Sequence, residues 1–223
     1  MDYALHAIAR AALMLGATLA LGCAAELGTS DGDEQDPPAA GGITTVDNGD
    51  GTYTTLVDAS DGEAWLTFDF ESGERVLEGD EAWDLGFQRF EIKSNGGISG
   101  DGRVVVAALA GADFEALERA PGGEYVEDAA DGDDEDEDPD YAFLVGDGWY
   151  SYDPTDHTLS PQDVLYVVRT VEQGYFKLQM LDYYDEAGSS GFPRFLWAEV
   201  DAPAGDISVT EPGRTAAPDA GAP

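Results

Sequence analysis

The sequence predicts an all-β fold: one antiparallel domain, sandwich-like or barrel-like, with disordered ends. Three observations carry this expectation. Short runs rich in Val, Thr, Tyr, Phe and Trp recur between residues 42 and 201. Gly-, Asn- and Asp-rich turn signals separate most of these runs. Only one short segment, Asp113 to Glu118, reads as helix, with Asp113 as its cap and Phe114 and Leu117 on one face.

Taken in order, Thr52–Val57 and Ala64–Phe70 alternate or are β-branched and aromatic, so each reads as a strand. Asn48-Gly49-Asp50-Gly51 precedes the first as a hairpin turn. Phe87–Ile92 reads as a third strand with a partly apolar face. Val104–Leu109 is continuously apolar, which suits a strand buried on both faces. Phe143–Val145 and Trp149–Tyr152 follow as short strands. Val164–Arg169 and Tyr175–Tyr184, joined at Glu172-Gln173-Gly174, read as a hairpin, and Phe195–Val200 closes the set. Between them, residues 124–140 hold eleven acidic side chains among seventeen and no base. Such a block repels itself, and it reads as a surface loop insertion.

The chain of 223 residues carries 47 acidic and 10 basic side chains, a formal charge of −37. Nucleic-acid binding needs clustered Lys and Arg and is excluded as an expectation. A basic patch for anionic lipid is excluded on the same ground. An apolar content of 43% with 10% aromatics is enough for a core, so this is not an acidic disordered chain.

Ala11 to Leu21 is apolar and, at about eleven residues, too short to span a bilayer. It reads as the hydrophobic region of a signal peptide covering residues 1–22. The run ends Ala20-Leu21-Gly22-Cys23, which resembles a bacterial lipobox. Cys23, the single cysteine, is then the expected lipidation site, with its acyl chains in the bilayer. Ala24 is not Asp, which favours the outer membrane, at its surface or periplasmic face. Residues 23–41, rich in Gly, Asp, Glu, Pro and Ala, read as a flexible tether. Residues 202–223 have the same character and read as a disordered tail.

Two segments carry a family resemblance. The first is Trp83-Asp84-Leu85-Gly86-Phe87-Gln88-Arg89-Phe90-Glu91-Ile92, continued by Lys93-Ser94-Asn95-Gly96-Gly97-Ile98-Ser99-Gly100. The second is Tyr166-Val167-Val168-Arg169-Thr170, with Tyr175-Phe176-Lys177-Leu178 through Leu181 to Tyr183-Tyr184 after the turn. Their motifs and order resemble the HmuY family of bacterial surface lipoproteins, over roughly Ile43 to Val200. The resemblance implies an all-β domain on the outer membrane and haem, or another tetrapyrrole, as the leading small ligand. Its best-known members use two axial histidines, and some relatives are thought to use methionine.

Iron in haem needs an axial His, Met, Tyr or Cys. After signal removal this chain holds one histidine, His157, and one methionine, Met180. His157 lies in a Tyr-rich turn, either as a ligand at a pocket mouth or as a side chain that hydrogen-bonds the turn. Met180 alternates with Phe176 and Leu178, the phase of a core residue. The few bases beside the motifs, Arg89, Lys93, Arg103, Arg169 and Lys177, suggest pairing with carboxylates or contact with an anionic ligand such as a propionate.

Calcium at Asp47-Asn48-Gly49-Asp50-Gly51 fails the EF-hand pattern, because Gly49, Gly51 and Asp58 stand at positions 3, 5 and 12. The Asp133–Asp140 run would collect cations only as an ion atmosphere. No enzyme activity is expected: Asp156, His157 and Ser160 share one turn with no oxyanion element. The competing expectation is a non-catalytic surface lipoprotein that does not bind haem and takes a protein, glycan or divalent-cation partner.

Overall fold

The computed structural model describes residues 41–77, 81–130 and 139–210. The signal peptide, Cys23, the tether to residue 40, the centre of the acidic block and the last thirteen residues lie outside the described residues. Fourteen strands lie among the described residues. The largest sheet has eight strands, in the order β1 (Ile43–Asp47), β2 (Tyr53–Val57), β13 (Ser190–Glu199), β12 (Tyr175–Tyr184), β11 (Val164–Arg169), β7 (Val105–Ala110), β8 (Gly123–Val126) and β14 (Ile207–Thr210). A four-stranded sheet runs β4 (Glu74–Val76), β3 (Leu66–Asp69), β5 (Leu85–Gln88), β6 (Glu91–Ser94). A small hairpin pairs β9 (Tyr150–Asp153) with β10 (Thr158–Pro161).

The two larger sheets pack as a sandwich, and among the described residues no sheet closes into a barrel. Phe68, Phe70, Phe87 and Ile92 from the smaller sheet meet Val106, Tyr166, Val168, Phe176, Leu178, Met180, Phe195 and Trp197 from the larger one. The rings interlock: Phe87 stacks on Phe195 at 5.5 Å and Phe70 on Phe176 at 5.0 Å, while Phe68 meets Phe195 edge-on at 5.6 Å. The apolar run at Val104–Leu109 is buried on both faces only as far as Ala107; Ala108 is exposed and Leu109 half-buried. Val104 and Val106 enter the main core, while Val105 and Ala107 join Tyr125 and Val167 in a second cluster on the other face.

Several elements differ from the sequence expectation. Phe87–Ile92 is two strands, β5 and β6, turned at Arg89, whose φ is 52°. The turn is unexpected because neither Gly nor Asn marks it. Phe143 and Leu144 belong to a 3-10 turn, Ala142–Leu144. Asp113 does cap as expected, its Oδ1 accepting from the Glu115 and Ala116 N–H groups, but the segment is a turn. Too few residues follow to nucleate a helix. The acidic block opens with strand β8, and Asp128 within it is buried. The segment after Asp201 contributes β14, which pairs in parallel with β8, so the large sheet is mixed. Burial of one carboxylate and pairing of a short edge strand override composition in both places.

Candidate functional site

The glycine-rich motif after Trp83 is an architectural knot. Asp84 is fully buried, its Oδ2 accepting from Phe70 N–H at 3.0 Å and its Oδ1 from Val171 N–H at 2.9 Å. Asn95 is buried too. Its Nδ2 donates to the Glu81 and Trp83 carbonyls, and its Oδ1 accepts from Gly102 N–H. Asp128 accepts from Ser94 N–H, Ser94 Oγ and Ala142 N–H, and burial raises its pKa above the usual carboxylate range. The chain passes so closely that a Cβ on Gly97, at φ 58°, would lie 1.7 Å from the Asp128 carbonyl oxygen. One on Gly96 would lie 2.0 Å from the Val104 carbonyl oxygen. Only glycine fits at either position.

The bases of the motif strands find carbonyls and ring faces as partners. Lys177 Nζ donates to the Phe114 and Leu117 carbonyls and lies 4.3 Å from the Phe114 ring centre. Lys93 sits over Trp65 at 4.4 Å and Trp83 at 5.2 Å. Arg169 donates to the Arg103 carbonyl.

A different region offers a ligand cleft. The β9–β10 hairpin, the Arg89–Phe90 turn and the far end of β12 enclose about 650 Å³. This lies within the range of small-molecule sites. Phe90, Tyr150, Tyr152, Tyr183, Tyr184 and His157 line it, with Arg89 and Asp156 as its charged groups. Trp149 is buried beneath and ties the hairpin to the β5–β6 turn, its Nε1 donating to the Phe90 carbonyl at 3.0 Å. Tyr183 and Tyr184 are adjacent and would point to opposite faces of a regular strand. Register shifts around Asp182, whose Oδ1 accepts from both tyrosine N–H groups, bring both to the cleft. Tyr184 Oη accepts from Leu159 N–H at 2.8 Å, which fixes its ring. Burial pushes the Tyr150 and Tyr183 phenols up, so they stay protonated at neutral pH.

His157 stands at the exposed edge of this cleft in the left-handed region, φ 61°, and its N–H donates to the Asp153 carbonyl. Its Nδ1 is hydrogen-bonded to Tyr152 Oη, and its Nε2 has no hydrogen-bond partner among the described residues. Met180 is only 4% exposed, sits in the sandwich core opposite Phe195 and does not line the cleft. The structure therefore does not bring His157 and Met180 together. The tyrosines and Phe90 escaped the sequence reading as a group, because their convergence depends on the unmarked turn at Arg89 and the bulge at Asp182.

A larger groove of about 1020 Å³ runs beside β1, β2 and the β3–β4 turn. Tyr53 stacks on Trp197 at 4.5 Å in its wall. Its charged lining is mainly acidic, Asp47, Glu71, Glu74 and Glu199 against Arg75, and it contains no His, Met or Cys. Volume favours this groove, but its charge and donor set do not suit an anionic, iron-bearing ligand.

These features define an all-β sandwich domain with an aromatic cleft at one edge. The model of the HmuY protein family matches residues 61–197, and the chain belongs to that family. Solved structures agree on the fold. A HmuY-like protein of Bacteroides vulgatus, provisionally named as heme-binding, aligns at TM-score 0.53 and 19% identity, over 70% of this chain and 96% of that one. A provisionally named lipoprotein of Bacteroides fragilis aligns at 0.51 and 18%, over 70% and 95%. The apo HmuY analogue of Tannerella forsythia aligns at 0.50 and 16%, over 71% and 96%. No curated protein matches the chain. Among the described residues no helix is long and apolar enough to cross a membrane.

Proposed function

We propose that this protein binds haem or a closely related tetrapyrrole in the aromatic cleft, with His157 as the axial ligand, while held at the outer membrane by acyl chains on Cys23. The observation that carries the reading is the placement of His157: its Nδ1 is engaged by Tyr152, and its Nε2 has no partner among the described residues at the mouth of an aromatic cleft. A hydrogen bond to one ring nitrogen orients a histidine for ligation through the other. That requires the tautomer with the proton on Nδ1, donated to Tyr152 Oη. The flat walls from Tyr150, Tyr183 and Phe90 suit a porphyrin face, and Arg89 supplies a cation for a propionate. The heme-binding designation of the B. vulgatus relative supports the same ligand class.

Met180 has no place in this site, because it packs in the core. Tyr152 is committed to His157 Nδ1, and the raised phenol pKa values of Tyr150 and Tyr183 disfavour those two as tyrosinate ligands, so a second iron ligand would come from water. The single histidine of the described residues favours a second reading, a surface interaction lipoprotein without haem.

Haemin titration of the full-length protein separates the two, with Soret and Q-band spectra in both oxidation states. A saturable, stoichiometric shift supports the haem reading. The absence of a saturable shift supports the second.

A further inference from the structure

At the end of the sandwich opposite in character to the cleft, four carboxylates converge. Asp69 ends β3, Glu71 lies in the β3–β4 turn, Asp84 precedes β5, and Glu172 lies in the β11–β12 turn. Each offers one oxygen, and these oxygens lie within 4.8 Å of one another. Exposed acidic groups cluster often without consequence in so acidic a chain. Here two of the four are buried, Asp69 at 8% exposure and Asp84 at 0%.

Asp69 provides the second observation. Its Oδ2 accepts from Ser72 N–H at 2.9 Å, but its Oδ1 is enclosed and has no hydrogen-bond partner among the described residues. A buried carboxylate oxygen without a partner is costly and calls for a cation or a proton. None of the four carboxylates forms an ion pair with Lys or Arg among the described residues.

We propose that Asp69, Glu71, Asp84 and Glu172 form a divalent-cation site that clips the smaller sheet to the β11–β12 turn of the larger one. The donors are all carboxylate oxygens, which suit hard cations such as Ca²⁺, Mg²⁺ and Mn²⁺. Ca²⁺ fits better than Mg²⁺, because it accepts irregular, carboxylate-rich coordination, whereas Mg²⁺ demands a near-ideal octahedron and keeps its waters. The turns already meet through a hydrogen bond from Thr170 Oγ1 to Glu71 Oε1 at 2.6 Å and through the Val171 N–H bond to Asp84. The cation would complete that junction. This site is separate from the aromatic cleft and does not depend on haem binding.

The test is calcium titration calorimetry with thermal melting, on full-length protein stripped with EGTA. The expected result is one saturable site and a melting temperature raised by about 5–10 °C at Ca²⁺ a hundredfold above Kd. Mg²⁺ should give a smaller rise. Asp69→Asn should raise the melting temperature of the metal-free protein by relieving repulsion, and should abolish the calcium response. Glu172→Gln, at an exposed position, should fold normally and weaken calcium binding at least tenfold. A paired Asp134→Asn and Asp136→Asn variant controls for the acidic block and should keep the saturable site. The proposal is overturned if calcium produces no melting shift, or if Glu172→Gln and Asp69→Asn respond to calcium as the wild type does.

Discussion

Between Trp83 and Arg103, polar side chains are engaged by the protein's own backbone: Asp84 by two N–H groups, Asn95 by two carbonyls and one N–H. Around the aromatic cleft the polar tips of Tyr152, Asp156 and His157 are exposed, and only their turn contacts are internal. The first region is over-determined by packing and by backbone approach. The second is a surface assembled from three elements distant in sequence. The knot residues Asp84, Asn95, Gly96 and Gly97 come from the two family motifs, and so do Arg89, Phe90, Tyr183 and Tyr184 of the cleft, while Tyr150, Tyr152, Asp156 and His157 lie outside the motifs. A relative can keep the motifs and change the β9–β10 wall of the cleft, because a ligand is set by the site rather than by the fold.

The largest effect should come from the knot. Gly97→Ala forces a Cβ into the Asp128 carbonyl at a positive φ, and we expect a loss of about 4 kcal/mol or more in urea unfolding. Next, Asn95→Ala leaves two carbonyls and one N–H without their buried partner, and the expected loss is about 2–4 kcal/mol by the same measurement. If either variant unfolded like the wild type, the contrast between the two regions would fail.

These residues also show what the sequence made legible. The long hairpin of β11 and β12 has the limits expected from its β-branched and aromatic runs, because both strands are buried by the core. The two-sided burial of β7 was plain from its unbroken apolar run for Val105 to Ala107, but the same run did not mark Ala108 and Ala110 as exposed. The cleft was legible at His157, as a histidine in a Tyr-rich turn, and at Arg89, as a base open to an anionic ligand. Its other walls depend on Arg89 adopting a left-handed turn and on the bulge at Asp182, neither of which has a glycine to announce it. The carboxylate cluster was hidden for a simpler reason. Its members span Asp69 to Glu172, and nothing in a chain with 47 acidic residues singles out those four.

In the cleft, effects on stability should be small and effects on binding large. Tyr152→Phe removes the hydrogen bond to His157, and should change stability by less than about 0.5 kcal/mol while weakening haemin binding about tenfold. The smallest effect on stability is expected for His157→Asn, since Asn tolerates the left-handed backbone at φ 61°. Its melting curve should overlay that of the wild type. A substantial loss in either variant would mean that the hairpin is structural, like the knot.

The most direct measurement of the central claim is a haemin titration of full-length wild type beside His157→Asn, followed at the Soret band. The account predicts a saturable one-to-one shift for the wild type, and its loss in the variant with the melting temperature unchanged. No saturable shift in the wild type, or the same spectrum and affinity in both proteins, would contradict it.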